Sequence, residues 1–174
     1  MSRLLVRKEE PGDAAAIHQA VEAAFRDHPR SEGTEPAIVE RLRLDGDLHL
    51  SLVAELDGAI VGYAAYSRAI LSSGARGWYA LGPIGVVPER RRMGVARALI
   101  EAGAAQLRAA GAKGITLLGE PALYTRFGFR QDTPLSIDGP LAAYFHALPF
   151  SADVREAKVR FAPAFSLARL RSRT

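Results

Sequence analysis

The chain contains no cysteine. A disulfide scaffold, a zinc–thiolate centre and a cysteine nucleophile are therefore excluded. No apolar run approaches the roughly 18 residues that a bilayer-spanning helix requires, so no membrane partner is expected. The four histidines, His18, His28, His49 and His146, are scattered without ligand spacing. No metal site is expected from them; each reads as a surface or internally satisfied histidine. Lysine is scarce: three of the 23 cations are Lys and the other twenty are Arg. Ten prolines and sixteen glycines follow no Gly-X-Y period, which excludes collagen. What remains is 48% hydrophobic and 24% charged over 174 residues, the balance of one globular domain with a core of its own. The first residues turn acidic before any signal-peptide apolar stretch develops, so a cytoplasmic location is expected.

A net charge of +4 raises nucleic acid as a partner. Arg169, Arg171 and Arg173 read as a basic tail. Arg90-Arg91-Arg92 has no interleaved aromatics of the kind that stack bases, so nucleic-acid binding is not expected.

Periodicity orders the elements. Residues 4–7 read as a strand. Asp13 after Pro11-Gly12 can cap a helix bearing Ile17, Val21, Ala24 and Phe25, and Thr34 can cap a second with Ile38, Val39 and Leu42 buried. Residues 27–33 between them form a polar loop. Residues 50–56 and 59–66 flank Asp57-Gly58, a strong hairpin signal. Residues 78–87 read as a strand interrupted by Gly82, Pro83 and Gly85, which argues for a bulge or a break in pairing. Residues 93–110 are helical, with Ala96, Leu99, Ile100, Gly103 and Leu107 on one stripe and Gly111 as the stop. Residues 114–118 form a buried strand, residues 121–127 a short helix closed by Gly128, and Phe129 opens a later strand. Lys158 to Phe161 is the final strand candidate. This order predicts a mixed α/β (α+β) sheet flanked by helices.

The segment Arg91-Arg92-Met93-Gly94-Val95-Ala96 joins a strand to the long helix. The first N–H groups of a helix lack intrahelical partners, and with the dipole they attract an anion. Gly94 lets a phosphate approach the backbone, Ala96 keeps the next turn slim, and the arginines add positive charge. Taken alone, the string equally describes a helix that begins with a basic turn. About thirty residues on stands Tyr124-Thr125-Arg126-Phe127-Gly128-Phe129.

With both segments in this order, the chain resembles the GNAT superfamily of acetyl-CoA-dependent N-acetyltransferases over roughly residues 3–135. The resemblance implies a sheet splayed between its fourth and fifth strands and a single N-acetyltransferase domain over 1–174. The last forty residues complete the sheet or form a tail. It implies that Arg91, Arg92, Met93, Gly94, Val95 and Ala96 hold the coenzyme A pyrophosphate. Ile84, Gly85 and Val86 would meet the pantetheine arm and the acetyl carbonyl. Acetyl-CoA is the implied co-substrate, an amine is the acceptor, and a second copy of the chain is an optional partner. Tyr124 matches the tyrosine that protonates the departing thiolate. Many relatives carry a glutamate on the strand before the loop; residues 81–86 here have no carboxylate. Glu120 can serve as the base or cap the short helix, and a water relay or an already neutral amine would need neither. His28 lies in the loop that often shapes the acceptor pocket. The alternative to an enzyme is a non-catalytic acyl-CoA-binding regulatory module.

Overall fold

A computed structural model describes residues 2–168. The strands are β1 (Leu4–Lys8), β2 (Leu48–Leu56), β3 (Ala59–Arg68), β4 (Ile70–Leu71), β5 (Trp78–Val86), β6 (Gly114–Leu118), β7 (Leu135–Ser136), β8 (Phe145–Pro149) and β9 (Ala157–Arg160). The helices are α1 (Ala14–Phe25), α2 (Glu35–Leu44), α3 (Val95–Ala109) and the single turn α4 (Pro121–Tyr124). The basic tail arginines lie outside the described residues. Among the described residues no helix is long and apolar enough to cross a membrane.

Six strands form one mixed sheet in the order β1-β2-β3-β5-β6-β8. Its pairs are antiparallel except β5 with β6. Asp57 and Gly58 both take positive φ (52° and 82°), as the hairpin turn between β2 and β3 demands. Both faces of this sheet are covered, so side chains of both parities along a strand are apolar. On β3, Ala64 and Tyr66 face the core beneath α3, while Tyr63 and Ala65 face the core beneath α1 and α2. Of the expected stripe on α3, Leu99, Ile100, Gly103 and Leu107 are buried; at its start the larger Val95 is buried and Ala96 only half-buried. A small second sheet, β4-β9-β7, adds a third cluster around Trp78, Phe145 and Val159. Within the last forty residues, β8 supplies the sixth strand of the main sheet through its pairing with β6.

Three local expectations are corrected. Thr34 and Asp13 stand at the N-cap positions of α2 and α1, but neither side chain makes a capping bond. Asp13 instead accepts from the Glu10 N–H (2.7 Å) and from Arg7 (2.7 and 3.2 Å), because a guanidinium outcompetes a helix amide for a carboxylate. The strand expected at Phe129 reduces to one bridge between Arg130 and Ala147, since Phe129 itself is drawn into the core.

Candidate active site

β5 and β6 run parallel and pair only from Trp78–Gly114 to Ala80–Thr116. Beyond that point β5 remains bonded to β3, and β6 to β8, so the two strands diverge. These are the fourth and fifth strands expected to splay, with the two-residue β4 intervening in the count. The register shift between β3 and β5 falls between Ala64 and Tyr66, opposite the Leu81–Ile84 stretch that holds Gly82 and Pro83. The divergence opens a cavity of about 330 Å³, lined by Leu81, Gly82, Pro83 and Ile84 from β5 and by Leu117 and Leu118 from β6. Phe25 of α1, Ile38 of α2 and Phe161 and Phe165 of the C-terminal segment close its floor and sides.

The β5–α3 connection lies beyond the far end of β5. Pro88–Arg90 make a 3-10 turn, Arg92 takes φ +60°, and Gly94 takes φ +80° before α3 begins. Left-handed Gly94 runs into the right-handed first residue of α3, and such a left–right step turns successive N–H groups to one side, the geometry of an anion-binding nest. The first bond of α3 runs from the Ala98 N–H to the Gly94 carbonyl (3.0 Å), so the amides of Val95, Ala96 and Arg97 precede the helical ladder. A Cβ on Gly94 would meet nothing within 4 Å, so this end of the loop is open to an approaching group. Arg92, Met93 and Gly94 are exposed, Ala96 is half-buried, and Val95 is anchored in the core. The site therefore offers donors at an open helix N-terminus, which fits a pyrophosphate.

Arg91 has protein partners that the sequence did not announce. Its guanidinium forks onto Asp27 (2.9 and 3.0 Å) and donates to the Ala24 carbonyl (2.7 Å). The pair holds Asp27 below the ordinary carboxylate range and raises Arg91. The side chain thus ties the loop to the end of α1. Gly85 belongs to the same joint: a Cβ there would stand 2.7 Å from the Ala24 Cβ and 3.0 Å from the Phe25 ring. Ile84 and Val86, on the opposite face, pack against the core beneath α3.

Tyr124 and Glu120 line the cleft opposite Ile84. The Tyr124 ring is half-buried, edge-on to Phe127 and Phe129. Burial pushes its phenol up to about 12. Glu120 does not cap α4 through its side chain. Its carboxylate pairs with Arg30 (3.0 Å), whose guanidinium also lies 4.1 Å over the Tyr144 ring. His28 lines the same cleft. His146 is a correction. It is fully buried, its Nδ1–H donates to the Tyr144 carbonyl (2.8 Å), and Nε2 has no protein partner. Its ring lies 6.4 Å from that of Tyr124. Among the described residues no cluster of three or more His, Cys, Asp or Glu side chains is placed to hold a metal.

Sequence reasoning missed Asp27, Arg30, Glu35 and Gly119. The first three lie in or beside the polar loop between α1 and α2, where nothing in the sequence distinguishes a site residue from a solvated one. Gly119 offered a weak signal as a glycine directly after a strand. A Cβ there would stand 2.2 Å from the Tyr124 ring, so only glycine admits the tyrosine.

The chain matches the model of the acetyltransferase (GNAT) family over residues 15–129. It is 36% identical over 127 residues to the uncharacterized N-acetyltransferase YhbS of Escherichia coli K12, covering 72% of this chain and 73% of that one. The crystal structure of a GNAT acetyltransferase from Brucella melitensis in complex with acetyl-CoA superposes with a TM-score of 0.82 at 43% identity, covering 94% of this chain and 98% of that one. The Escherichia coli YhbS structure in complex with CoA gives a TM-score of 0.86 at 30% identity, covering 95% of this chain and 93% of that one. A family match across most of the chain, carried by a parallel pair that splays ahead of an amide-rich helix start, leaves one assignment: the chain belongs to the GNAT family of N-acetyltransferases.

Proposed function

We propose that the chain, read as one domain over 1–174, moves the acetyl group of acetyl-CoA directly onto an amine within a ternary complex. The observation that carries this reading is the cleft itself. One wall is the β5 edge at Ile84, the other holds Tyr124, and the open amide nest lies past the far end of β5. In this reading the amides from Arg92 to Ala96 hold the pyrophosphate, and the β5 edge at Ile84, Gly85 and Val86 receives the pantetheine arm. The complexes of the two relatives with acetyl-CoA and CoA support it.

The residues divide the chemistry as follows. The β5 edge and the cleft walls align the neutral amine with the thioester carbonyl; such alignment is worth up to roughly 7–11 kcal/mol. As nitrogen bonds to carbon, a backbone N–H of β5 stabilises the developing oxyanion. When the C–S bond breaks, Tyr124 Oη gives its proton to sulfur, and the phenolate is restored by the proton that the acylated nitrogen releases. A phenol held up at about 12 remains protonated at neutral pH, as a donor must. Glu120, salt-bridged to Arg30 at the cleft mouth, is one acceptor for the proton of an incoming ammonium; water is the other.

The test is release of free coenzyme A thiol across a panel of amines, with Tyr124→Phe beside the wild type. The variant keeps the ring packing, so kcat should fall by about 10²–10⁴ while acetyl-CoA affinity holds. Equal turnover in a step limited by chemistry would reduce Tyr124 to a packing residue. The absence of any carboxylate on β5 favours one rival, a binding module that takes up acetyl-CoA and turns over no amine.

A further inference from the structure

The cleft carries a charge pattern that narrows the acceptor. Its body is apolar: Phe25, Ile38, Leu81, Pro83, Phe161 and Phe165 all face it. Its rim is apolar too, since Leu118, Leu123 and Leu141 line it although they are 36%, 40% and 40% exposed. Large apolar side chains left in water around a concavity mark a surface that an apolar ligand covers. Two carboxylates face this space. Glu120 is already neutralised by Arg30, which is itself seated on the Tyr144 ring. Glu35 is half-buried at the start of α2, and Ser31 Oγ donates to its Oε2 (2.7 Å). Among the described residues no Lys, Arg or His side chain forms an ion pair with Glu35. The cleft thus holds one carboxylate with no ion-pair partner among the described residues, with His28 also on its wall, beside an apolar body.

Resting on the acetyltransferase reading, we propose that the acceptor is a small monoamine with an apolar alkyl or aryl body, its ammonium received by Glu35. One free carboxylate matches one cationic head. A second ammonium would be carried into the apolar body without a partner, and an α-carboxylate would meet Glu35 rather than a free cation; both are costly to desolvate. Before reaction the ammonium held by Glu35 loses one proton to Glu120 or to water, as above, and the neutral nitrogen then follows the transfer already described.

Matched acceptors test this through release of coenzyme A thiol. In the series propylamine, butylamine, pentylamine, kcat/KM should rise about threefold to fourfold per methylene, the gain expected for a buried CH₂. Pentylamine should exceed 1,5-diaminopentane, and 2-phenylethylamine should exceed phenylalanine, each by tenfold or more. Glu35→Gln should raise KM for 2-phenylethylamine about tenfold with acetyl-CoA affinity unchanged. Leu141→Asp, on the exposed rim, should lower kcat/KM for pentylamine and narrow its lead over the diamine. A diamine, an amino acid or a peptide N-terminus used as well as its apolar counterpart overturns the proposal, as does an unchanged KM in Glu35→Gln. Calorimetry covers the case of no turnover: 2-phenylethylamine that fails to bind the CoA-saturated protein overturns the proposal, and binding that Glu35→Gln weakens supports it. A protein that binds no acetyl-CoA fails instead at the underlying acetyltransferase reading.

Discussion

A single guanidinium decides how the loop between β5 and α3 is held. In sequence, Arg91 looks like charge placed for a phosphate. In the fold its fork closes on Asp27 and the Ala24 carbonyl, so the cation is already matched by a carboxylate. Bidentate Arg–carboxylate geometry is specific as well as strong, and here it fixes the loop against the end of α1. Under the proposed function, the nest and the helix amides are then left to bind phosphate, with Arg91 as a positioning residue. This makes a prediction whose sign discriminates. If Arg91 positions the loop, Asp27→Ala weakens acetyl-CoA binding about threefold to tenfold by calorimetry, although Asp27 itself contacts no phosphate. If the Arg91 side chain is a direct phosphate ligand restrained by Asp27, the same substitution frees it and binding tightens. The same dependence on a neighbour holds at Tyr124, whose ring occupies the space a Cβ on Gly119 would take. The Gly119 N–H and the His146 Nδ1–H both donate to the Tyr144 carbonyl (2.9 and 2.8 Å), so the tyrosine rests on a locally fixed wall.

At the scale of elements, glycines set how closely helices approach the sheet. Gly103 sits mid-helix in α3, where glycine is about 1 kcal/mol worse than alanine by propensity. A Cβ there would stand 2.1 Å from the Tyr66 hydroxyl, which donates to the Leu99 carbonyl (3.1 Å) from a fully buried position on β3. The contact should outweigh the propensity: Gly103→Ala is expected to destabilise by roughly 1–3 kcal/mol in denaturant unfolding, the usual cost of overpacking. A more stable variant would mean that Tyr66 moves aside freely. Gly62 plays the same part nearer the start of α3, where a Cβ would meet Val95 at 2.7 Å. The stripe 99–107, the Asp57-Gly58 hairpin and the interrupted strand around Gly82-Pro83 were legible because each is a local pattern with a local cause. The nest was legible only as a string, since Arg92 carries no mark of its positive φ. What was not legible depends on chain segments far apart in sequence: the fork from Arg91 to Asp27, the pair of Arg30 with Glu120, and the burial of His146 opposite Leu117. Caps fared worst, because Asp13 and Thr34 have the right identities and Asp13 has a stronger partner elsewhere.

For the whole molecule, the joint between the sheet edge and the first helix rests on charge, which makes it sensitive to acid. Arg7 on β1 reaches Asp13 ahead of α1 (2.7 and 3.2 Å) and Glu55 on β2 (3.0 Å), and Asp13 also accepts from the Glu10 N–H. The side chains of Arg7 and Asp13 are only 24% and 14% exposed, so solvent screens this pair less than an open surface pair. The hydrogen bonds from Arg7, then from the Glu10 amide, hold Asp13 below its ordinary value of 3.8. A carboxyl that releases its proton more readily in the folded state than in the unfolded one favours the fold wherever it is ionised. That contribution is therefore complete above the ordinary carboxylate value near 3.8 and is lost as pH falls through the lower folded value. The chain already carries 23 Lys and Arg against 19 Asp and Glu, so acid also adds self-repulsion throughout, and the joint must be isolated by substitution. Asp13→Asn keeps an acceptor for the Glu10 amide but removes the charge that Arg7 grips. It should cost about 1–2 kcal/mol at pH 7, lowering Tm by about 2–8 °C. The gap between variant and wild type should narrow as pH falls below 3.8 and close once pH passes below the lowered folded value of Asp13, where the wild-type carboxyl is protonated as well. Thermal melts of both proteins from pH 7 down to pH 2.5 measure that convergence; parallel curves across the whole range would show that Asp13 supports the joint through shape rather than charge.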